Sequence, residues 1–276
     1  MSADLVEVEF KRNRKGYYTS DEDEDYYPGE YVIVEVEKGI DLGKISQIGR
    51  LVILKDPKDE PRPILRRATD EDLVKLESNR LEETKAFEIG RLYIEKRNLN
   101  MKLVEVEYQF DTNKLTFYFT SDQRVDFREL VKDLAAKYRT RIELRQISVR
   151  EEAKKLGGLG ICGKELCCTA FIENFSPITT SDAKEQNLPM NPSKICGVCN
   201  RLKCCLLYEK GFYTASLKRF PALDSAIQTE RGIGYIEKVD IFNDNVMIRF
   251  DGDEYEQYSL SEINRFLKRS QKNKPA

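Results

Sequence analysis

Apolar and polar residues alternate along three early stretches of the chain. Residues 4 to 10, which contain LVEVEF, residues 31 to 37, YVIVEVE, and residues 39 to 49, GIDLGKISQIG, carry the period of half-buried strands. Between the first two lies YYTSDEDEDYYPG, residues 17 to 29. Its five consecutive acids, Asp21 to Asp25, repel one another and predict a solvated hairpin loop, with a docking surface for a basic partner as the competing reading. LKDPKDEPRP, residues 54 to 63, reads as a charged, proline-rich connector, so residues 1 to 53 predict a small twisted β unit.

The period then changes. The capping spelling TDED at Thr69 precedes apolar residues at Leu73, Leu76, Leu81, Phe87, Ile89, Leu92 and Tyr93, which predicts a helix to about Lys96. LVEVEYQF (103–110) and LTFYFTSD (115–122) predict a hairpin turning at Asp111, Thr112 and Asn113. Asp126 is placed to cap a second helix, FRELVKDLAAKY, and RIELRQIS (141–148) is the strand after it. Helix, strand, strand, helix, strand indicates an α+β layer with two helices on one sheet face. Late in the chain, ERGIGYIEKVDIF, NDN and VMIRFDGDEYEQYSL predict another hairpin, part of a small barrel, before a frayed tail, RSQKNKPA. The fold class is α+β in three segments: residues 1–68, a β unit and linker; 69–210, the α+β domain with a cysteine-rich region; and 211–276, a β unit and tail.

Composition narrows the chemistry. With 276 residues and 40% apolar content the chain can bury real cores, and 46 Lys+Arg against 48 Asp+Glu leave a net charge of −2, so no global field steers it to a polyanion. No apolar run approaches the roughly 20 residues that span a bilayer, and the first residues lack a signal-peptide core, which points to the cytoplasm. Histidine is absent, which removes imidazole bases, Ser/His/Asp and Cys/His machinery and His-containing zinc fingers.

All seven cysteines fall between Cys162 and Cys205. GICGKELCC (160–168) returns 37 positions later as GVCNRLKCC (197–205), pairing Cys162, Cys167 and Cys168 with Cys199, Cys204 and Cys205. A glycine ahead of each first cysteine permits a tight backbone path, and the four intervening residues leave room for a loop around a bulky centre. Cys196, Cys199 and Cys204 are spaced x2 then x4, which favours an iron–sulfur centre over zinc. If the adjacent pairs run extended, their side chains face opposite ways. Cys162, Cys167, Cys199 and Cys204 then form one four-sulfur site, Cys168 and Cys205 face elsewhere, and Cys196 is spare. Buried thiols that merely pack, and disulfides, are the plainer readings. A thiol redox enzyme ranks last, because the CC pairs lack the C-x-x-C context.

Around the second copy, Lys194, Arg201, Lys203, Lys210, Lys218 and Arg219 face the single acid Glu209, interleaved with Tyr208, Phe212, Tyr213 and Phe220. Such a set suits RNA, since cations neutralise phosphate and rings stack on bases. It equally suits electrostatic support of thiolates, with Lys164 and Arg201 tuning the local charge. No glycine-rich dinucleotide fingerprint argues for a flavin.

KKLGGLGICGKELCC and SDAKEQNLPMNPSKICGVCNRLKCCLLYE resemble the bacterial YaaT/RicT family, built on the PSP C-terminal domain, and PGEYVIVEVEKGIDLGKI resembles its N-terminal β unit. The resemblance implies a non-enzymatic cytoplasmic adaptor that joins YlbF-like and YmcA-like small helical proteins in a complex carrying 4Fe-4S clusters. That complex assists ribonuclease Y in maturing messenger RNA and influences sporulation, competence and biofilm development. The family's motif carries over to Cys162, Cys167, Cys168, Cys199, Cys204 and Cys205 as ligands, with Cys168 and Cys205 serving a second centre shared with a partner. Cys196 falls outside the motif and is a candidate extra ligand. A zinc-stabilised RNA-binding module is the alternative.

Overall fold

The computed structural model describes residues 5–20, 25–53, 60–172, 175–186, 188–252 and 254–272. The acidic run at 21–24, most of the expected connector at 54–59 and the chain end at 273–276 lie outside them. The chain divides into two compact units, Met1–Gly158 and Leu159–Ala276.

The first unit opens with β1 (Leu5–Glu9), a 3-10 turn at Lys11–Asn13, β2 (Lys15–Thr19), β3 (Tyr31–Val36), β4 (Gly39–Ile48), the short α1 (Arg50–Ile53) and β5 (Arg62–Arg67). These strands close into a barrel in the order β1-β2-β5-β3-β4. Val6, Val8, Val32, Val34 and Ile45 fill it, as the alternation predicts. Two of its strands depart from the sequence reading. Tyr17 and Tyr18 belong to β2, antiparallel to β1, where a loop was expected, and β5 lies where the connector was expected to end. In β5 only Ile64 is buried among arginines and prolines, so its pattern is not apolar enough to announce a strand.

Next come α2 (Asp70–Lys96), β6 (Lys102–Tyr108), β7 (Lys114–Thr120), α3 (Arg128–Tyr138) and β8 (Arg141–Gln146), the expected order. Thr69 and Asp72 form the capping box of α2. The expected Asp126 cap of α3 is displaced: Phe127 is the N-cap without a side-chain cap, and Asp126, one residue earlier, accepts the Arg128 backbone N–H at 3.2 Å. The sheet order is β6-β7-β8, with β8 parallel to β7 at the edge. Ala86 and Ile94 of α2 and Leu130 and Leu134 of α3 cover Leu103, Val106, Leu115 and Phe117.

The opposite sheet face is polar, and the 3-10 turn of the barrel clasps it. Lys11 pairs with Glu83 of α2 at 2.5 Å, Arg12 with Glu105 at 3.0 Å, and Arg14 with both Glu107 at 2.8 Å and Asp41 at 2.7 Å. Lys155 of α4 (Val149–Leu156) reaches Glu105 at 2.6 Å. At a second seam, Ile40 N–H donates to Asp111 and Gln109 Nε2 donates to the Lys38 carbonyl at 2.7 Å. Between them Gly39 has φ +105°, and a methyl there would overlap Asp111 Oδ2 and stand 2.6 Å from Gln109 Nε2. Gly39→Ala is therefore expected to cost about 2 kcal/mol, from a disfavoured backbone region plus a displaced polar seam, read as a lowered urea midpoint with unchanged m-value.

The second unit holds α5 (Cys167–Ala170), α6 (Thr180–Glu185), α7 (Pro192–Ile195) and α8 (Cys204–Leu217). These are followed by β9 (Ala226–Thr229), β10 (Gly232–Asp240), β11 (Asn245–Phe250), β12 (Glu254–Ser259) and α9 (Leu260–Lys272). The expected hairpin is β10–β11, the middle of an open antiparallel sheet ordered β12-β11-β10-β9. Barrel closure, expected here, occurs at the N-terminal sheet instead. Where a frayed tail was expected to begin, α9 continues to Lys272. Ile263 and Phe266 seat it on Ile236, Val246 and Ile248, and Ser259 with Glu262 caps it. Among the described residues no helix is long and apolar enough to cross a membrane.

Candidate functional site

The repeated cysteine spelling folds into the same backbone shape twice. Gly160 N–H donates to the Lys164 carbonyl at 2.8 Å, and Gly197 N–H to the Arg201 carbonyl at 2.9 Å. Gly163 N–H closes on Gly160 at 2.9 Å, and Asn200 N–H on Gly197 at 3.0 Å. Leu159 bridges Glu165 as Cys196 bridges Leu202. The turn needs one left-handed residue, supplied by Gly163 (φ 77°) and by Asn200 (φ 55°), a residue type that tolerates that region. Each turn then enters a helix through a residue of nearly identical geometry, Leu166 at φ −57°, ψ 127° and Lys203 at φ −57°, ψ 128°.

Both first cysteines fold back over their own turns. A methyl at Gly160 would stand 3.4 Å from Cys162 Sγ, and one at Gly197 would stand 3.8 Å from Cys199 Sγ. The adjacent pairs are not extended: Cys167–Cys168 and Cys204–Cys205 begin α5 and α8, so neighbouring thiols diverge by about 100° rather than facing opposite ways. Cys162 is exposed, Cys168 is buried, and Cys167, Cys196, Cys199, Cys204 and Cys205 are half-buried. None of the seven is joined in a disulfide. Cys196 packs beside Ala183, Ile195 and Leu206, a small core of its own.

The two copies adjoin through their helices. Phe171, just after α5, meets Tyr208 of α8 edge-to-face with ring centroids 4.9 Å apart. Burial, then Glu209 and Cys167, push the Cys205 thiol above its ordinary value, which places one thiol of each copy within electrostatic reach of the other. Among the described residues, no three Cys, Asp or Glu side chains stand close enough to hold a metal ion. Among the described residues the two copies stand as two turns of three thiols each, not as one assembled four-sulfur site.

The basic set around the second copy is less available than its local sequence implies. Lys210 pairs with Asp182 at 2.7 Å and Glu185 at 3.2 Å, and Arg219 pairs with Asp244 at 3.1 Å. These acids lie far away in sequence, so counting only Glu209 underestimates the negative charge. Phe220 is buried in the sheet core and presents no ring to a base. Lys164 and Arg201 are exposed at matching turn positions and form no ion pair among the described residues. Sequence reading missed the exposed apolar groups here: Ile161 and Val198 at the two turn tips, and Phe242, which stacks on Phe212 at 6.0 Å. Ile161 and Val198 occupy the same position of the repeat, as Lys164 and Arg201 do, and that matched apolar position is the signal that could have found them.

Comparison with known proteins places these features in a family. The model for the PSP1 C-terminal conserved region matches residues 62–147, and that for the third domain of PSP1-like proteins matches residues 177–220. The chain is 42% identical over 228 residues to the stage 0 sporulation protein YaaT of Bacillus subtilis (strain 168), covering 83% of each chain. It is 31% identical over 174 residues to an uncharacterized protein of Schizosaccharomyces pombe, covering 52% of this chain and 23% of that one. It is also 51% identical over 49 residues to Protein PSP1 of Saccharomyces cerevisiae, covering 18% and 6% respectively. No solved structure matches the chain.

Proposed function

The chain belongs to the family of the stage 0 sporulation protein YaaT, and from that premise we propose that it is a non-enzymatic regulatory adaptor of the cytoplasm. In this reading it carries one or more 4Fe-4S clusters and joins small helical proteins of the YlbF and YmcA type. The assembly assists ribonuclease Y in maturing messenger RNA and acts on sporulation, competence and biofilm development. The observation that carries the reading is the twofold turn, with three cysteines in each copy at matching positions.

Cys162, Cys167, Cys199 and Cys204 are the candidates to hold a cluster within the chain. Cys205, half-buried, is better placed than the buried Cys168 for a centre shared with a partner. When bound, a cluster supplies a cross-link and negative charge, which Lys164 and Arg201 would offset. The exposed tips at Ile161 and Val198 supply apolar contact of the kind that protein interfaces use.

Purification under anaerobic conditions tests the metal. The expected result is a brown protein with visible iron–sulfur absorbance and matching iron and sulfide. A colourless protein with stoichiometric zinc would install the zinc-stabilised RNA-binding module instead, and a well-folded metal-free chain would remove both.

A further inference from the structure

We propose that the edge of the α+β layer in the first unit is a binding cleft for single-stranded nucleic acid, gripped through its phosphodiester chain. This goes beyond the adaptor reading and uses none of the cysteines.

Along β8, Ile142 and Leu144 pack with the core under the helices, which turns Arg141 and Arg145 onto the opposite face. There the ladder sets Arg141 beside Lys114 and Arg145 beside Tyr118 of β7. Two recesses, of about 270 and 650 Å³, meet at Tyr108 and Arg141. The first is lined by Lys114, Arg141 and Arg145, the second by Arg139, Arg141 and Tyr138.

The charge of Arg139, Arg141 and Arg145 is unspent, whereas Lys114 is drawn to Glu143 at 3.7 Å. Arg12, Arg14, Arg66 and Arg97 of the same unit all pair with carboxylates. Among the described residues Arg139, Arg141 and Arg145 form no ion pair, whereas Glu82 is engaged by Lys85, Asp41 and Glu107 by Arg14, and Glu143 by Lys114; the exposed Glu37 also lines the first recess. The Tyr138 hydroxyl is buried with no hydrogen-bond partner among the described residues, an unmet donor at the wall of the larger recess. Burial raises its pKa to about 12, so it stays protonated and able to donate.

Guanidinium forks and a phenol donor match phosphate oxygens. Arg141 and Arg145 lie four residues apart on a strand, roughly 13 Å, farther than one phosphate spans. That spacing favours two separate phosphates of one strand over the single phosphate of a free nucleoside monophosphate.

The test titrates the full chain with short fluorescein-labelled RNA and DNA oligonucleotides of mixed sequence, read by anisotropy, and with AMP as competitor. Expected are saturable binding of at least one strand, a loss of at least about tenfold in R141Q/R145Q, and a salt slope lower by about 0.7 for each contact removed. Y138F, which deletes only the hydroxyl, should weaken binding about threefold or more. R265Q, removing the same charge from α9 of the other unit, should leave affinity unchanged. The RNA and DNA arms tell which strand is preferred. Absence of binding, full displacement by AMP at equal concentration, unaltered affinity in R141Q/R145Q with a native circular dichroism spectrum, or an equal loss in R265Q would each overturn the proposal.

Discussion

Arg14→Met is expected to lower the unfolding free energy of the first unit by about 2–4 kcal/mol at neutral pH, the range for leaving partly buried charges without their partner. The Arg14 guanidinium reaches Asp41 at 2.7 Å and Glu107 at 2.8 Å, and the side chains of both acids are only 11% exposed. A third of Arg14 itself meets solvent, which keeps the expected loss below that of a fully enclosed pair. Methionine fills much of the volume and removes the charge, so the two carboxylates would face each other without a cation, held by the Tyr118 hydroxyl donating to Glu107 at 3.0 Å and the Leu42 and Phe110 backbone N–H groups donating to Asp41 at 3.0 and 3.3 Å.

The loss should depend on pH in a defined direction. Burial already holds the Asp41 pKa above its ordinary value, with the Arg14 charge opposing that rise and Glu107 adding to it. A carboxyl whose folded pKa exceeds its unfolded one binds more protons when folded. It therefore withdraws stability as pH rises from the unfolded value to the folded one, and nothing further beyond. Without Arg14 the folded pKa of Asp41 rises again, so the window widens upward. Urea melts at about pH 4 and pH 7 should show a smaller difference between variant and parent at the acid end. A difference that is equal at both pH values, or below about 1 kcal/mol at neutral pH, would mean that the clasp is not electrostatic.

The clasp also marks the limit of sequence reading. Hairpins and α2 were legible because alternation, a capping box and a short polar turn agree locally at LVEVEYQF, Thr69 and Asp111–Asn113. Strand β5 was not, because its neighbours in the sheet, not its own side chains, make RPILRR a strand. The α9 spelling, Ser259 and Glu262 ahead of Ile263, Phe266 and Leu267, was readable and shows how a strand assignment can swallow a helix start. At the cysteine region the repeat itself was plain in the letters. That each CC pair opens a helix was not, since a CC pair carries no helix-start signal, and the extended assumption set its thiols on opposite faces. Nor could sequence pair Lys210 with Asp182 or Arg219 with Asp244, contacts that exist only after folding.

The twofold geometry makes a sharper demand on the cysteines than their number does. If both turns grip one inorganic centre, Cys167→Ser and Cys204→Ser, equivalent first residues of α5 and α8, should lower bound iron to a similar degree, to less than half of the parent value. Serine keeps the shape and replaces a soft thiolate with a hard, weakly acidic hydroxyl. Cys196→Ser, beyond the repeat and packed against Ala183, Ile195 and Leu206, should leave iron nearly unchanged and cost only packing. The structural consequence should be just as uneven. That core is small, with Ile178, Leu188 and Leu202 only partly buried around it, so the region has few apolar contacts to hold its turns without a cross-link. Loss of metal in Cys167→Ser should therefore raise amide exchange across 159–210 while the α9 sheet, with its own core at Ile236, Ile248 and Ile263, keeps its protection. Iron loss in Cys196→Ser alone, with Cys167→Ser and Cys204→Ser at parent level, would move the centre off the repeat and onto the x2 spacing. Equal protection with and without metal would make the turns self-supporting and the thiols free for chemistry other than ligation.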